Sequence, residues 1–524
     1  MTVSAGNSKS KNLFTGLQAQ SDKIYLYLTV AWIFVCAFFY LKLSLNPVCD
    51  YDESYTVSMV SHSFREIISI TSQDVHSPMY YFLVKALSLL PGINVILASK
   101  LFSYLCAIVF LCITAVFVVK RYGSKTAFYF VILASANPMM ISQVCNARMY
   151  TAGLLFFSVA VCSGYLISEK YSHKRAVIFI ITSIVTVYLH HVFMTMMVLT
   201  YLIFICISLF KRNFKLLKVY FFCGLATGLS FLPWFFVMIG QFRNRNESGS
   251  VMYSLSDTAM YRDYFYAWKD ELFSGTFYSY GWMIRFWMAA IILVIPGFVF
   301  FFRKNKKDFL PLLGPVIMIL TFMIPGILLV MYSGQFFARY AFPGYAGIWL
   351  FMAVSLSGYE SGKRLISTAF NIFKVLILAA ALFFGIKTYE AQLEGLDRSG
   401  IDAYRQIMAE VSEGDAVMFS DTWSSLLQIY DEDKDYWIYG YNPEGMPYNY
   451  TGVYTSREQL DPYERVWLVG NDTVEIANLE PDYTLKNRLE FNHHSYHFIV
   501  KIYGNDNDSK DPGESCGNGI GQGR

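Results

Sequence analysis

Residues 24–45, IYLYLTVAWIFVCAFFYLKLSL, form an apolar run long enough to cross the hydrocarbon core of a bilayer as a helix. The residues that follow, NPVCDYDES at 46–54, place the pair Asp52-Glu53 immediately beyond it. DVHSPMYY at 74–81 then adds Asp74 and His76 in front of the next apolar stretch. Ionisable groups at a membrane boundary are expensive to keep and mark functional sites by default. A carboxylate pair, a further carboxylate and a histidine in one short loop suggest an active site facing a bilayer surface.

The rest of the chain fits that opening. Of 524 residues, 55% are hydrophobic, 18% aromatic and only 15% charged, whereas soluble domains carry about 25% charge. The apolar excess falls in stretches of roughly 18 to 25 residues, the length of a membrane-spanning helix. We expect a polytopic all-α membrane protein with eleven spans, near 24–45, 97–119, 126–143, 151–168, 176–190, 192–210, 217–239, 281–302, 309–332, 340–359 and 365–386. The polar segment 1–23 has no small-residue cleavage site, and the first span is too long for a signal peptide, so it is expected to remain as an anchor.

Basic residues orient the spans, because lysine and arginine collect in short cytoplasmic loops. Lys11 and Lys23 precede the first span; Lys120, Arg121 and Lys125 follow the second; Lys170, Lys174 and Arg175 the fourth. Lys211, Arg212, Lys215 and Lys218 follow the sixth, Arg303 to Lys307 the eighth, and Lys363 and Arg364 the tenth. Every second connection is basic and is placed inside. The remaining connections and the C-terminus are placed outside, in a bacterial inner or plasma membrane.

The first outer loop, 46–96, carries Val57, Val60, Phe64 and Ile67 or Ile68 at helical spacing, which predicts an amphipathic helix lying in the interface. Met79 to Leu90 predicts a second interfacial helix. A larger outer loop spans 241–281. From Lys387 to Tyr503 the chain turns polar and reads as a small extracytoplasmic α/β domain, with a helix at 402–411 and strands at 416–419, 466–469 and 496–503. Residues 504–524 read as disordered. Nine cysteines show no metal-like spacing. Cys49 and Cys145 both fall near the outer face, which leaves a disulfide open.

Other chemistry-bearing residues map to the same face. Asn146-Ala-Arg148-Met-Tyr150 opens the fourth span, His190-His191 lies between the fifth and sixth, and Arg339-Tyr340 opens the tenth. Carboxylates, histidines and arginines together suit transfer from a phosphate-linked donor. A carboxylate accepts the proton of an acceptor hydroxyl, and guanidinium groups neutralise the departing phosphate.

The pair Asp52-Glu53, the segment Asp74-Val-His76-Ser-Pro78-Met-Tyr80-Tyr81, Ala147-Arg148-Met-Tyr150 and Arg339-Tyr340, in this order, resemble the GT-C glycosyltransferases over residues 20–390. The branch most similar is the protein O-mannosyltransferase and aminoarabinose-transferase-like group. The resemblance implies a polyprenyl-phosphate-linked sugar donor, a glycan, lipid-linked saccharide or protein acceptor, Asp52 as the catalytic base with Glu53 supporting, and Arg148 and Arg339 at the lipid phosphate. In the second motif Ser77 stands where the family has proline, which is expected to alter loop stiffness rather than chemistry.

Bland alternatives stand beside these roles. Asp52 suits the N-cap of a helix starting near Ser54, and Glu53 suits its first turn. Asp74 and His76 also fit ordinary loop positions, and His190 and His191 a water boundary. Arg148 and Arg339 fit snorkelling to headgroups, and Tyr150 and Tyr340 an interfacial aromatic belt. Asp52, Glu53, Asp74 and His76 are also of the type that ligates a divalent ion, although the branch that the chain resembles is metal-independent. No cofactor is otherwise indicated, and nucleic acid is not an expected partner. Trp423, Trp437, Tyr439 and Trp467 of the C-terminal domain suit either sugar stacking or core packing. The competing functions are a transporter or flippase of lipid-linked saccharides, and a membrane-anchored binding or scaffold protein.

Overall fold

The computed structural model describes residues 5–74, 76–247, 258–262, 264–265, 281–306, 308–333, 336–358, 364–431, 434, 436–441, 446–471, 475–476, 483–493 and 496–505. The chain divides into two compact units, Met1–Leu396 and Asp397–Arg524.

The first unit is helical, and its surface is apolar where a soluble protein's would be polar. Phe34 is 72% exposed and Phe38 67%. The unit belongs in lipid, and the protein is an integral membrane protein. Among the described residues, nine helices are long and apolar enough to cross a membrane, or ten with one bent pair counted as a span. Eleven were expected. The difference lies in two places. Helix His173–Leu189 has 17 residues, short of the roughly 20 that a span requires. The expected span 126–143 is two helices, Ser124–Ser135 and Pro138–Val144, bent by 65°. Asn137-Pro138 causes the break. A residue before proline is driven out of the helical region, and Asn137 is extended, with its side chain capping Met139 N.

The first loop also departs from expectation. The single amphipathic helix is two helices, Tyr51–Ser61 and Phe64–Gln73, each opened by a capping box, from Asp50 and from Ser63. The first is buried from Glu53 to Val60 and does not lie in an interface. The segment expected as a second interfacial helix, from Met79 to Leu90, holds helix Met79–Ser88. Most of the outer loop 241–281 lies outside the described residues. No disulfide joins Cys49 and Cys145.

The second unit begins later than the composition shift at Lys387, because helix Arg364–Gly395 carries the chain onward. Among the described residues it holds helix Ser399–Met408 and six strands: β1 (Asp415–Phe419), β2 (Tyr436–Ile438), β3 (Gly452–Val453), β4 (Arg465–Gly470), β5 (Tyr483–His493) and β6 (Tyr496–Asn505). Their order is β3-β2-β1-β4-β6-β5. The first four are parallel neighbours, and β6 pairs antiparallel with both β4 and β5. The α/β expectation holds, with β6 running two residues past Tyr503. Trp437 and Trp467 are buried, and Trp467 Nε1 donates to Asp415 Oδ2 at 3.1 Å, so these two belong to the core. Trp423 is 37% exposed with its ring 4.0 Å from that of Tyr496. The tail expected to be disordered lies, from residue 506, outside the described residues.

Candidate active site

Four segments distant in sequence meet at one end of the helical unit: helix Tyr51–Ser61, the turn at 74–78, the turn at 145–149 and the 3-10 turn Ala338–Gly344. Local sequence sets each one. Asp50, not Asp52, caps the first helix, its Oδ1 accepting from Glu53 N at 2.8 Å. The capping alternative for Asp52 is therefore removed, and its side chain is free for other work.

Glu53 anchors this arrangement. Its carboxylate accepts from Asp50 N at 3.0 Å through Oε2 and from Ala147 N at 2.8 Å through Oε1. Lys100 Nζ lies 3.1 Å from the same Oε1, with both side chains buried. Lys100 also donates to Val48 O at 2.5 Å. One buried ion pair thus ties the start of the first loop, helix Val95–Tyr122 and the turn at 145–149. Ser103, one helical turn along from Lys100, donates to Asn146 O at 2.7 Å and fixes that turn further.

The turn presents Arg148, which is buried. Its Nη1 donates to Asp52 O at 3.3 Å, and its Nη2 lies 3.1 Å from His76 Nε2. A guanidinium can only donate, so His76 Nε2 carries the lone pair and Nδ1 the proton. Nδ1 donates to Asp74 Oδ2 at 2.8 Å, and Tyr55 donates to the same oxygen at 2.8 Å. Asp74 thereby orients His76, and His76 orients Arg148. Ser77 also holds the turn, since its hydroxyl donates to Tyr188 O. Proline at this position has no such donor, so the substitution replaces ring stiffness with a hydrogen bond.

Arg339 reaches the Asp52 carboxylate itself, Nη2 to Oδ2 at 3.2 Å. Burial alone would raise the Asp52 carboxyl; the charges of Arg148 and Arg339 outweigh it and hold the group below the ordinary carboxylate value. Arg339 packs 5.9 Å above Tyr150 and 4.5 Å above Phe337. Tyr340 stacks on Tyr150 at 6.4 Å and lies tilted against His190 at 4.9 Å. Burial, with the neighbouring His76, His191 and both arginines, pushes the His190 imidazole well below its ordinary value. Its Nδ1 accepts from Val192 N at 3.1 Å. His191 follows at the helix start with its ring 6.5 Å from that of His190.

All ten sequence candidates therefore lie at this end of the unit. The sequence reading missed Asp50, Tyr55, Lys100 and Ser103. Lys100 had a usable signal, as a lysine inside the apolar stretch 95–119.

The donor set does not fit a divalent ion. Among the described residues, no group of three or more His, Cys, Asp and Glu is placed to hold one. The Asp52 carboxylate faces a guanidinium, and that of Glu53 faces an ammonium. Nε of Arg148 and Nε of Arg339 are among the buried polar atoms that have no hydrogen bond, as are the Tyr80 and Tyr81 hydroxyls near Arg148. Buried donors left unmatched cost about 1–3 kcal/mol each, and the two Nε donors belong to the residue type best suited to phosphate.

The chain has a GT-C-like fold, on its likeness to two solved structures. Over 92% of its length and 98% of the other chain, it is similar to apo ArnT from Cupriavidus metallidurans, with a TM-score of 0.59 and 12% identity. The ArnT structure bound to undecaprenyl phosphate aligns over 93% and 99%, with a TM-score of 0.56 and 12% identity. No protein-family model and no curated protein matches the chain.

Proposed function

We propose that the protein is a glycosyltransferase that moves a sugar from a polyprenyl-phosphate carrier to a hydroxyl acceptor on the outer face of the membrane. One observation carries the proposal: Asp52 is held ionised beside two arginines, Arg148 buried and Arg339 half-buried, whose buried Nε atoms have no partner. The donor phosphate fits those donors, and its sugar then lies beside Asp52. That ArnT has been solved with undecaprenyl phosphate supports a lipid-linked donor.

In this mechanism Asp52 orients the acceptor hydroxyl and takes its proton as the oxygen attacks the anomeric carbon. The bond to phosphate breaks on the opposite side, which inverts the centre. Arg148 and Arg339 neutralise the departing phosphate. Tyr150, Tyr340 and His190 form an aromatic wall for the sugar–phosphate head. Glu53 and Asp74, read from sequence as catalytic, become positioning residues, because one is committed to Lys100 and Ala147 and the other to His76 and Tyr55. The acceptor is a glycan, a lipid-linked saccharide or a protein, and the exposed Trp423 suits a contact with it. The alternating basic loops support an outward-facing site and C-terminal domain.

Incubation of the purified protein with a panel of labelled polyprenyl-phosphate sugars and candidate acceptors tests the proposal. Label appearing on an acceptor supports it. Label that crosses a liposome membrane still attached to its carrier would establish a flippase instead.

A further inference from the structure

At the end of the helical unit away from Asp52, a cavity of about 1100 Å³ opens among the helix ends. Two helices join the places. Val95–Tyr122 carries Lys100 at the candidate site and Arg121 in the cavity wall, and Tyr150–Glu169 carries Tyr150 and Glu169 in the same way. At 1.5 Å per residue the two sites are about 30 Å apart. Nothing in the transfer chemistry uses the second one.

The cavity wall contains an ordered network. Arg121 Nη1 lies 2.7 Å from Glu169 Oε1, and its Nη2 lies 3.2 Å from Asp308 Oδ2. Arg121 Nη2 also donates to the Tyr165 hydroxyl at 2.5 Å, which donates onward to Asp308 Oδ1 at 2.9 Å. Glu169 and Asp308 are the two carboxylates that line the cavity, and Arg121 engages both. The other charges are positive. Lys125 comes from the start of helix Ser124–Ser135, Lys211 from the end of His191–Phe210 and Arg303 from the end of Gly281–Lys304. Lys304 and Lys306 join them.

Basic residues near helix ends commonly snorkel outward to headgroups, which spreads them around a rim. Here they converge on a concavity. Like charge lining a cleft with low-dielectric walls focuses the field and concentrates counter-ions. Phe301, Phe309 and Val354 supply an apolar side to the same space. We propose that this cavity is a second binding site, for a phosphate-bearing anionic group, held by Lys125, Lys211 and Arg303 while the Arg121 network keeps the wall in shape. Its position at the ends of spanning helices gives access both to a phospholipid headgroup and to a soluble phosphate compound.

Thermal unfolding of the full chain in phosphatidylcholine nanodiscs tests this, with phosphatidylglycerol doped in or pyrophosphate added. Either addition is expected to raise Tm. A rise with phosphatidylglycerol alone identifies a headgroup site, and a rise with pyrophosphate alone a site for soluble phosphate. The variant K125Q/K211Q/R303Q should lose the response, with apparent affinity down roughly a hundredfold at about 1 kcal/mol for each charge removed. Should the triple variant not fold, Lys211→Gln and Arg303→Gln, both at exposed positions, carry the same test singly. No rise with either addition, or an undiminished rise in the neutralised proteins, overturns the proposal.

Discussion

Arg339 Nη2 sits 3.2 Å from Asp52 Oδ2, although 287 positions of sequence separate the two residues. The contact joins the tenth expected span to the first loop. It also gives Asp52 a second cationic neighbour beside Arg148, so the carboxylate stays charged in a half-buried place.

Asp52→Asn removes the proton acceptor and leaves the shape of the side chain. Turnover of a lipid-linked sugar is expected to fall by about 10²- to 10⁴-fold, the range of general-base contributions. The unfolding temperature should stay near wild type, because the helix cap belongs to Asp50. Asp50→Ala should do the reverse, costing about 1 kcal/mol of stability through the lost cap. Ordinary turnover in a well-folded Asp52→Asn protein would refute the base assignment.

The pH profile follows from the same charges. The Asp52 carboxyl is depressed, so it remains ionised throughout the neutral and mildly acidic range and is lost only as pH falls below the ordinary carboxylate value. The imidazole of His190 is depressed too and stays neutral near pH 7. The acid limb of kcat/KM should therefore lie below about 4, the unperturbed carboxylate value, with no inflection from His190 near 6.5. Arg339→Gln takes away one of the charges that lower Asp52, and the limb should move upward. A limb that stays in place in Arg339→Gln would show that another group controls it.

The Glu53–Lys100 pair tests the positioning role. Lys100→Met leaves Glu53 charged and buried, and breaking a buried pair from one side costs about 3–5 kcal/mol. A large fall in unfolding temperature or in folded yield is expected. Combining it with Glu53→Gln should recover part of the loss, because the uncompensated charge is gone. A double variant no more stable than Lys100→Met would count against this account.

For the arginines, Arg148→Lys retains the charge but loses the planar fork that reaches both Asp52 O and His76 Nε2. Turnover should drop on the order of 10²-fold, comparable to losing one donor to a developing anion. Near-normal turnover in both Arg148→Lys and Arg339→Lys would reduce the two to structural arginines. Comparing the rates for a short-chain and a full-length polyprenyl donor separates a phosphate defect, which affects both equally, from a lipid-tail defect.

Much of this was legible in the sequence, for reasons specific to membranes. An apolar stretch of spanning length can hardly be anything but a helix in lipid, and alternating basic loops place Asp52, Arg148, His190 and Arg339 on one face before any coordinates exist. What the sequence concealed depends on local competition. Asp50 and Asp52 are both good N-caps two residues apart, and only the Glu53 carboxylate folding back onto Asp50 N decides between them. The break at Asn137-Pro138 leaves hydropathy untouched on either side and so hides inside an apolar window. Strand β5 was missed because its middle, from Leu485 to Arg488, is exposed, which leaves no buried alternation to detect. The role of Ser77 needed its partner, Tyr188, which lies 111 positions away.

The helix Val95–Tyr122 has an ionised side chain locked near each end, Lys100 to Glu53 and Arg121 to Glu169 and Asp308. It therefore works as a ruler. Neither end can slide along the bilayer normal without breaking an ion pair. A membrane thicker or thinner than the roughly 30 Å between the two anchors must itself deform, or tilt the whole bundle, at a cost of a fraction of a kcal/mol per Å. The depth of Asp52 relative to the lipid phosphates is then a property built into one helix, and lipid chain length becomes a variable that selects which membranes suit the protein.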